Sequence, residues 1–403
     1  MDALSGTRRK PGRLGPFVEG YRVWLLEAGY TPGTTRGMLK VLGHLGRWMD
    51  DEDVEVGEID AAAIEAFLAS LRAGGQRRVP TVKALGSLVA FLRSVGVMVP
   101  AGGARELAPV EVLVGEYRQW LVIERGLAAA TVLRYEMLAR RFLTGRVSTQ
   151  DALGVGDLGG ADVSAFLLRE CGRVSIGSAK GKVAELRALL RFLYLRGFTE
   201  LALAESVPSV AGWRDAAVPP TMARADVQRL LDGCERSTLG GARNYAILML
   251  LARLGLRSVE VARLELGDLD WRAGELVVRG KARRQDRMPL HSDVGDALAG
   301  YLALRGRRDA RQVFLTLKAP TRPIRADLVG DVVQRACLHA GVAHVGAHRL
   351  RHALASEMLA AGASLQDISQ VLRHADLATT AIYAKVDLGR LREVAQPWPG
   401  EER

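Results

Sequence analysis

His348-Arg-Leu-Arg-His352 is followed by Leu372-Arg-His374 and then by Thr379-Thr-Ala-Ile-Tyr-Ala-Lys385. Upstream, Gly255-Leu-Arg-Ser-Val-Glu260 puts Arg257 at the opening of a helix, and Lys281 stands in the basic run Arg279-Gly-Lys-Ala-Arg-Arg-Gln-Asp286. A guanidinium is a planar fork that can grip two oxygens of one anion. An imidazole gives or takes a proton near neutral pH. A neutral tyrosine, with a free pKa of about 10, is a weak nucleophile unless a base or nearby cations help it. Taken singly, each residue has a plainer reading. One arginine is a surface charge, and one tyrosine is a helix tyrosine. His348 and His352, at i and i+4, have the spacing of a zinc pair, but the Glu of an HExxH motif is missing and no third ligand is evident. No metal is expected. His291, His339 and His344 read as structural.

In this order and at these spacings, Arg257, Lys281, His348, Arg351, His374 and Tyr383 together resemble the catalytic set of the tyrosine recombinase (phage integrase) family. The resemblance covers the chain from about Thr221 onward, and the middle part resembles that family's core-binding domain. It implies that Tyr383 attacks a scissile DNA phosphate, leaving a 3′-phosphotyrosine and a free 5′ hydroxyl. Arg257 and Arg351 would clamp the nonbridging oxygens, where a phosphoryl transition state spreads its charge. His374 would add a hydrogen bond, His348 would be the base and Lys281 the acid. Glu260 would orient catalytic groups, and His352 would pack or hydrogen-bond as a supporting residue. The bond energy is kept in the adduct, so no cofactor, ATP or metal is called for. Three positions depart from the pattern. Leu254 replaces a common threonine, Ala353 a frequent hydroxyl residue, and Arg373 a common glycine before His374.

The rest of the composition is compatible. The chain has 403 residues, a formal charge of +11 and an isoelectric point near 9.9. That balance suits double-stranded DNA as partner, because cations near phosphates release counterions. The cysteines Cys171, Cys234 and Cys337 are far apart and odd in number, which argues against a disulfide framework and fits a cytoplasmic setting. Met1 to Pro16 is basic and lacks the apolar region of a signal peptide. The most apolar helix, around Asn244 to Leu256, is interrupted by Arg253 and too short to cross a bilayer, so no membrane is expected.

Pro/Gly clusters at Val99–Pro109 and Glu205–Arg224 divide the chain. The expected parts are a disordered basic tail (1–16), a first helical domain (17–100), a second (106–205), a catalytic domain (220–395) and a short tail (396–403). The first two look duplicated. Tyr21-Arg-Val-Trp-Leu25 matches Tyr117-Arg-Gln-Trp-Leu121, each followed by a glycine and a threonine placed to cap a helix, Thr34 or Thr131. Phe91-Leu-Arg-Ser-Val-Gly96 matches Phe192-Leu-Tyr-Leu-Arg-Gly197. Apolar residues at helical spacing, such as Ile64, Phe67, Leu68 and Leu71, or Leu186, Leu189, Leu190 and Leu193, make each part a helical bundle. Lys180, Lys182, Arg187 and Arg191 fall on the opposite face, and Lys180, Lys182 and Arg187 join Arg283 and Arg284 as DNA-binding candidates. The third part should carry strands at Glu275–Val278, Arg287–Leu290 and Gln312–Leu315.

The expected fold is thus mainly α, with two SAM-like bundles in an all-α N-terminal half and a small antiparallel sheet in an α+β catalytic domain. The leading reading is a site-specific recombinase, an integrase or a transposase of a mobile element, which the three-part layout fits better than a chromosome-dimer resolvase. The family likeness implies a homo-tetramer on synapsed DNA or assembly with partner recombinases. An amphipathic tail, Val386–Val394, would dock on a neighbouring protomer. Two other readings stay open: a type IB topoisomerase-like enzyme, and a DNA-binding accessory protein with a silent site.

Overall fold

A computed structural model describes residues 11–75, 79–80, 82–98, 108–146, 154–172, 174–211, 222–280, 285–306, 310–374 and 380, leaving out the side chains of 82–84. The chain forms two compact units. One is Ala101–Ala216; the other joins Met1–Pro100 with Ala217–Arg403.

The N-terminal bundle holds a 3-10 turn (Gly12–Phe17) and helices α1 (Val18–Glu27), α2 (Pro32–Asp51), α3 (Ala61–Ala73) and α4 (Val82–Ser94). Helix α2 starts where Pro32 follows Thr31, whose hydroxyl accepts the Thr34 amide, and α3 starts at Asp60, whose carboxylate accepts the Ala63 amide. Each replaces a partner that a helix's first turn lacks. This bundle begins earlier than expected. Leu14, assigned by sequence to a disordered tail, is fully buried, and Arg13 is paired with Asp50, Asp53 and Glu55. One apolar side chain among basic and Pro/Gly residues anchors the segment.

The middle unit contains α5 (Pro109–Ile123), α6 (Ala129–Thr144), α7 (Gly160–Cys171) and α8 (Ile176–Leu195). It repeats the first bundle in detail. Tyr21 and Trp24 have ring centroids 6.1 Å apart, and Tyr117 and Trp120 lie 6.0 Å apart. Phe91 is 5.3 Å from Tyr21, as Phe192 is 5.1 Å from Tyr117. Thr34 and Thr131 both occupy the third helical position, so neither is the cap; Thr31 caps α2, and α6 starts after Ala128 without a side-chain cap. The copies diverge at one polar atom. The Tyr21 hydroxyl pairs with Ser87 at 2.8 Å, whereas the corresponding residue of α8 is Ala188, and the buried Tyr117 hydroxyl has no partner among the described residues. The expected linker at 205–224 starts late, since Val207 is buried in this unit's core.

The C-terminal part contains α9 (Arg224–Asp232), α10 (Leu239–Arg253), α11 (Ser258–Arg263), β1 (Leu269–Asp270), β2 (Glu275–Arg279), β3 (Gln285–Pro289), α12 (Ser292–Arg305), α13 (Ala326–His339), α14 (His348–Ala360) and α15 (Leu365–Val371). Helix α10 runs through the core: Ala246 to Leu251 are all essentially inaccessible. Burial of one such leucine contributes about 1.5–3 kcal/mol. The strands form an antiparallel sheet in the order β1-β2-β3, with Leu276 opposite Met288 and both facing inward. The third strand is therefore β1, not Gln312–Leu315. That segment makes only isolated bridges, Glu265 with Gln312 and Leu315 with Pro323. Its successive residues Val313 and Phe314 are both fully buried, so it lacks the in-out alternation of a strand with one wet face. Within the same unit, the Ala28 carbonyl of the first bundle accepts from the Thr321 amide at 2.8 Å and its hydroxyl at 3.2 Å.

Candidate active site

Three helix ends of the C-terminal part converge: the turn before α11, the start of α14 and the end of α15. Arg257 is the N-cap of α11. Its amide donates to Glu260 Oε2 at 2.8 Å, and its guanidinium to Glu260 Oε1 at 2.7 Å. The Arg257 side chain is 38% exposed, so the guanidinium reaches solvent while its partner carboxylate is buried. Burial raises the Glu260 pKa, but the Arg257 amide, Arg373 and the Arg257 guanidinium outweigh it and hold the carboxyl below its usual range.

Arg351, on α14, is fully buried, and its guanidinium donates to the carbonyls of Gly255 and Leu372. These carbonyls lie two residues before Arg257 and two before His374, so one side chain ties both segments together. Gly255 has φ +59°, and a Cβ there would lie 2.8 Å from Leu372 Cδ2, so glycine suits both the backbone and the space.

Helix α15 ends in a Schellman motif. The His374 amide bonds to the Ser369 carbonyl at 3.0 Å, and the Arg373 amide to the Gln370 carbonyl at 2.9 Å. Arg373 therefore occupies the left-handed position, φ +53°, where glycine is favoured. His374 Nδ1 lies 2.7 Å from the hydroxyl of Thr380, which is fully buried.

His348 opens α14, and its ring meets that of His352 edge to face at 4.6 Å between centroids. Burial, then Arg351 and Arg257, lower the His348 pKa. His374 is pushed down to about 4 by burial, Arg351, Arg257, His348 and His352. His352 falls to about 4 through burial, His348, Arg349 and Arg351. Arg257, His348, Arg351 and His374 thus share one electrostatic neighbourhood, in which the imidazoles are neutral at pH 7 and the guanidiniums carry the charge. Such a site can hold an anion, and a neutral His348 can accept a proton. Among the described residues no group of three or more His, Cys, Asp or Glu is placed to hold a metal ion.

Lys281, Arg283, Arg284 and Tyr383 lie outside the described residues, as does the Val386–Val394 tail. Of the other DNA-binding candidates, Lys180 is exposed. Lys182 is bound to Glu170 at 2.7 Å, and Arg187 donates to the Val207 carbonyl at 2.7 Å and to Ser209. Those two cations are engaged within their own unit. Sequence reasoning marked Arg373 only as a departure from glycine and did not single out Thr380. Glu260, the partner of Arg373, lies 113 residues away in the chain.

Residues 220–390 match the model of the phage integrase family. The chain is 38% identical over 396 residues to the Sinorhizobium fredii protein y4rA, whose name calls it an integrase/recombinase, covering 96% of this chain and 94% of y4rA. It is 32% identical over 306 residues to the tyrosine recombinase XerD of Mycobacterium tuberculosis, covering 70% of this chain and 95% of XerD. Among solved structures, the XerH site-specific recombinase in a post-cleavage complex with palindromic difH substrate aligns with a TM-score of 0.54 at 16% identity, over 98% of this chain and 99% of XerH. A lambda integrase dimer bound to a COC′ core site aligns at 0.53 and 16% identity, over 72% of this chain and 98% of that one. At such identities the likeness is one of fold. No described helix is long and apolar enough to cross a membrane.

Proposed function

The chain belongs to the phage integrase family of tyrosine recombinases, and from that premise we propose that it cuts and rejoins double-stranded DNA through a covalent tyrosine adduct for the integration and excision of a mobile element. The observation that carries this reading is the shared neighbourhood of Arg257, His348, Arg351 and His374. In the proposed reaction, Arg257 and Arg351 bind the nonbridging oxygens of the scissile phosphate. His348 removes the phenolic proton of Tyr383. The phenolate attacks phosphorus, the bond to the 5′ oxygen breaks, and Lys281 protonates that oxygen. A 5′ hydroxyl from another duplex reverses the sequence. Arg351 would exchange at least one backbone carbonyl for phosphate, or contact it with the remaining donors of its five. His374 would donate from Nε2 while its Nδ1 accepts the hydroxyl proton of Thr380, which fixes that tautomer.

The mobile-element role is supported by y4rA, the relative that spans nearly the whole chain and is named an integrase/recombinase. XerD covers 70% of this chain, and the additional length here accommodates a second bundle. We assign 12–98 and 109–207 as two helical DNA-engaging modules and 220–395 as the catalytic domain, working in the cytoplasm as a tetramer on synapsed DNA. The structures of lambda integrase as a DNA-bound dimer and as a tetramer on a Holliday junction lend that assembly support.

The test is covalent trapping. Nicked duplexes tiled across the DNA flanking the gene are incubated with wild type and Tyr383→Phe in EDTA, then resolved on a denaturing gel. An adduct from wild type alone is expected. Tight binding without any adduct would favour a silent accessory protein, and relaxation of supercoiled DNA without a preferred site would favour a topoisomerase-like enzyme.

A further inference from the structure

Arg373 combines three features that are unfavourable one by one. It is a non-glycine residue at φ +53°. Its side chain is only 5% exposed, which is rare for a cation. Its Nε has no hydrogen-bond partner among the described residues. A glycine at the same point of the Schellman motif would remove all three costs. Positions of this kind persist where the surroundings hold them for a purpose.

The surroundings name the purpose. The Arg373 guanidinium binds Glu260 Oε2 at 2.8 Å, the oxygen that also accepts the Arg257 amide. It further contacts the Met288 sulfur on β3 and the Val371 carbonyl at 3.3 Å. Glu260 is thus shared between two guanidiniums, one buried and one reaching solvent. With Arg373 holding Oε2, the carboxylate is fixed in rotation and presents Oε1 to Arg257. Arg373 also balances the carboxylate's charge, so that the Arg257 cation is not fully neutralised by its own partner. The same side chain locks the helix end from which His374 projects onto α11 and β3.

We propose that Arg373 is a positioning residue of the DNA-cleavage reaction, which acts through Glu260 to set the orientation and free charge of Arg257 and to register His374 against it. The proposal rests on the recombinase reading above for its reaction, but not for its geometry.

The experiment compares wild type, Arg373→Gly, Arg373→Lys, Glu260→Gln and the Arg373→Gly/Glu260→Gln double variant. Glycine relieves the backbone, so folding is expected to survive, and a thermal melt checks it. On the nicked duplex that traps wild type, Arg373→Gly should form adduct at least tenfold more slowly at saturating protein, with DNA affinity unchanged. Arg373→Lys should recover part of the rate. The double variant should be no slower than Glu260→Gln, because both changes break one path. In the DNA-free protein, 15N-edited spectra should show ordered Arg257 guanidinium signals that broaden in Arg373→Gly and sharpen again in Arg373→Lys. Wild-type cleavage rate in Arg373→Gly, losses that multiply in the double variant, or unchanged Arg257 signals would each overturn the proposal. If wild type itself forms no adduct, the recombinase reading falls, and the spectra alone decide whether Arg373 positions Arg257.

Discussion

Arg351 is the residue on which two segments of the site hang. Its donors to Gly255 and Leu372 hold carbonyls 117 residues apart in the chain. Arg351→Ala would leave both without their cation inside the protein, and we expect a loss of about 2–4 kcal/mol in urea unfolding. A loss below about 0.5 kcal/mol, the usual effect of a surface change, would show that water replaces it. In the proposed mechanism His348 is the base. Its pKa is depressed below its ordinary 6.5 by burial and by Arg351 and Arg257. A base must be unprotonated, so the acid limb of the cleavage rate constant should lie below pH 6.5. A limb at or above that value would remove His348 from the role. The order Arg257, His348, Arg351, His374 was legible because a motif spaced along the chain survives in the sequence. The Glu260–Arg373 pair was not, because 113 residues separate its members and nothing local marks them as neighbours.

Helices announced themselves more clearly than strands. The faces Phe67/Leu68 and Leu186/Leu189/Leu190/Leu193 are buried as their spacing requires. The two-residue strand β1 carries too little pattern to be read, and Gln312–Leu315 looked like a strand because a buried connector is also apolar. Leu14 was lost among its polar neighbours. The duplicated aromatic triads support a paired prediction. Tyr21→Phe removes the hydroxyl bonded to Ser87 and should cost about 0.5–1.5 kcal/mol. Tyr117→Phe removes a buried hydroxyl without a partner among the described residues and should be neutral or stabilising. Equal losses in denaturant titrations would mean that the two copies do not differ at this atom.

Across the whole molecule, the imidazoles link stability to pH. His352 and His374 have pKa values near 4 when folded, against an ordinary value of 6.5. The unfolded chain therefore binds more protons between these values, and stability falls as pH drops through that window. The thermal midpoint should decline from pH 6.5 toward 4, and His352→Gln should flatten the decline; an unaltered slope would show that His352 titrates normally. The bond between Ala28 and Thr321 spans 293 residues. At ribosomal speed, Ala28 is made roughly 15–60 s before Thr321. The first bundle therefore waits for its Thr321 partner until most of the chain has been made. A chain stalled in that interval lacks His348, Arg351 and His374, so in the proposed reaction no strand can be cut until synthesis is nearly complete.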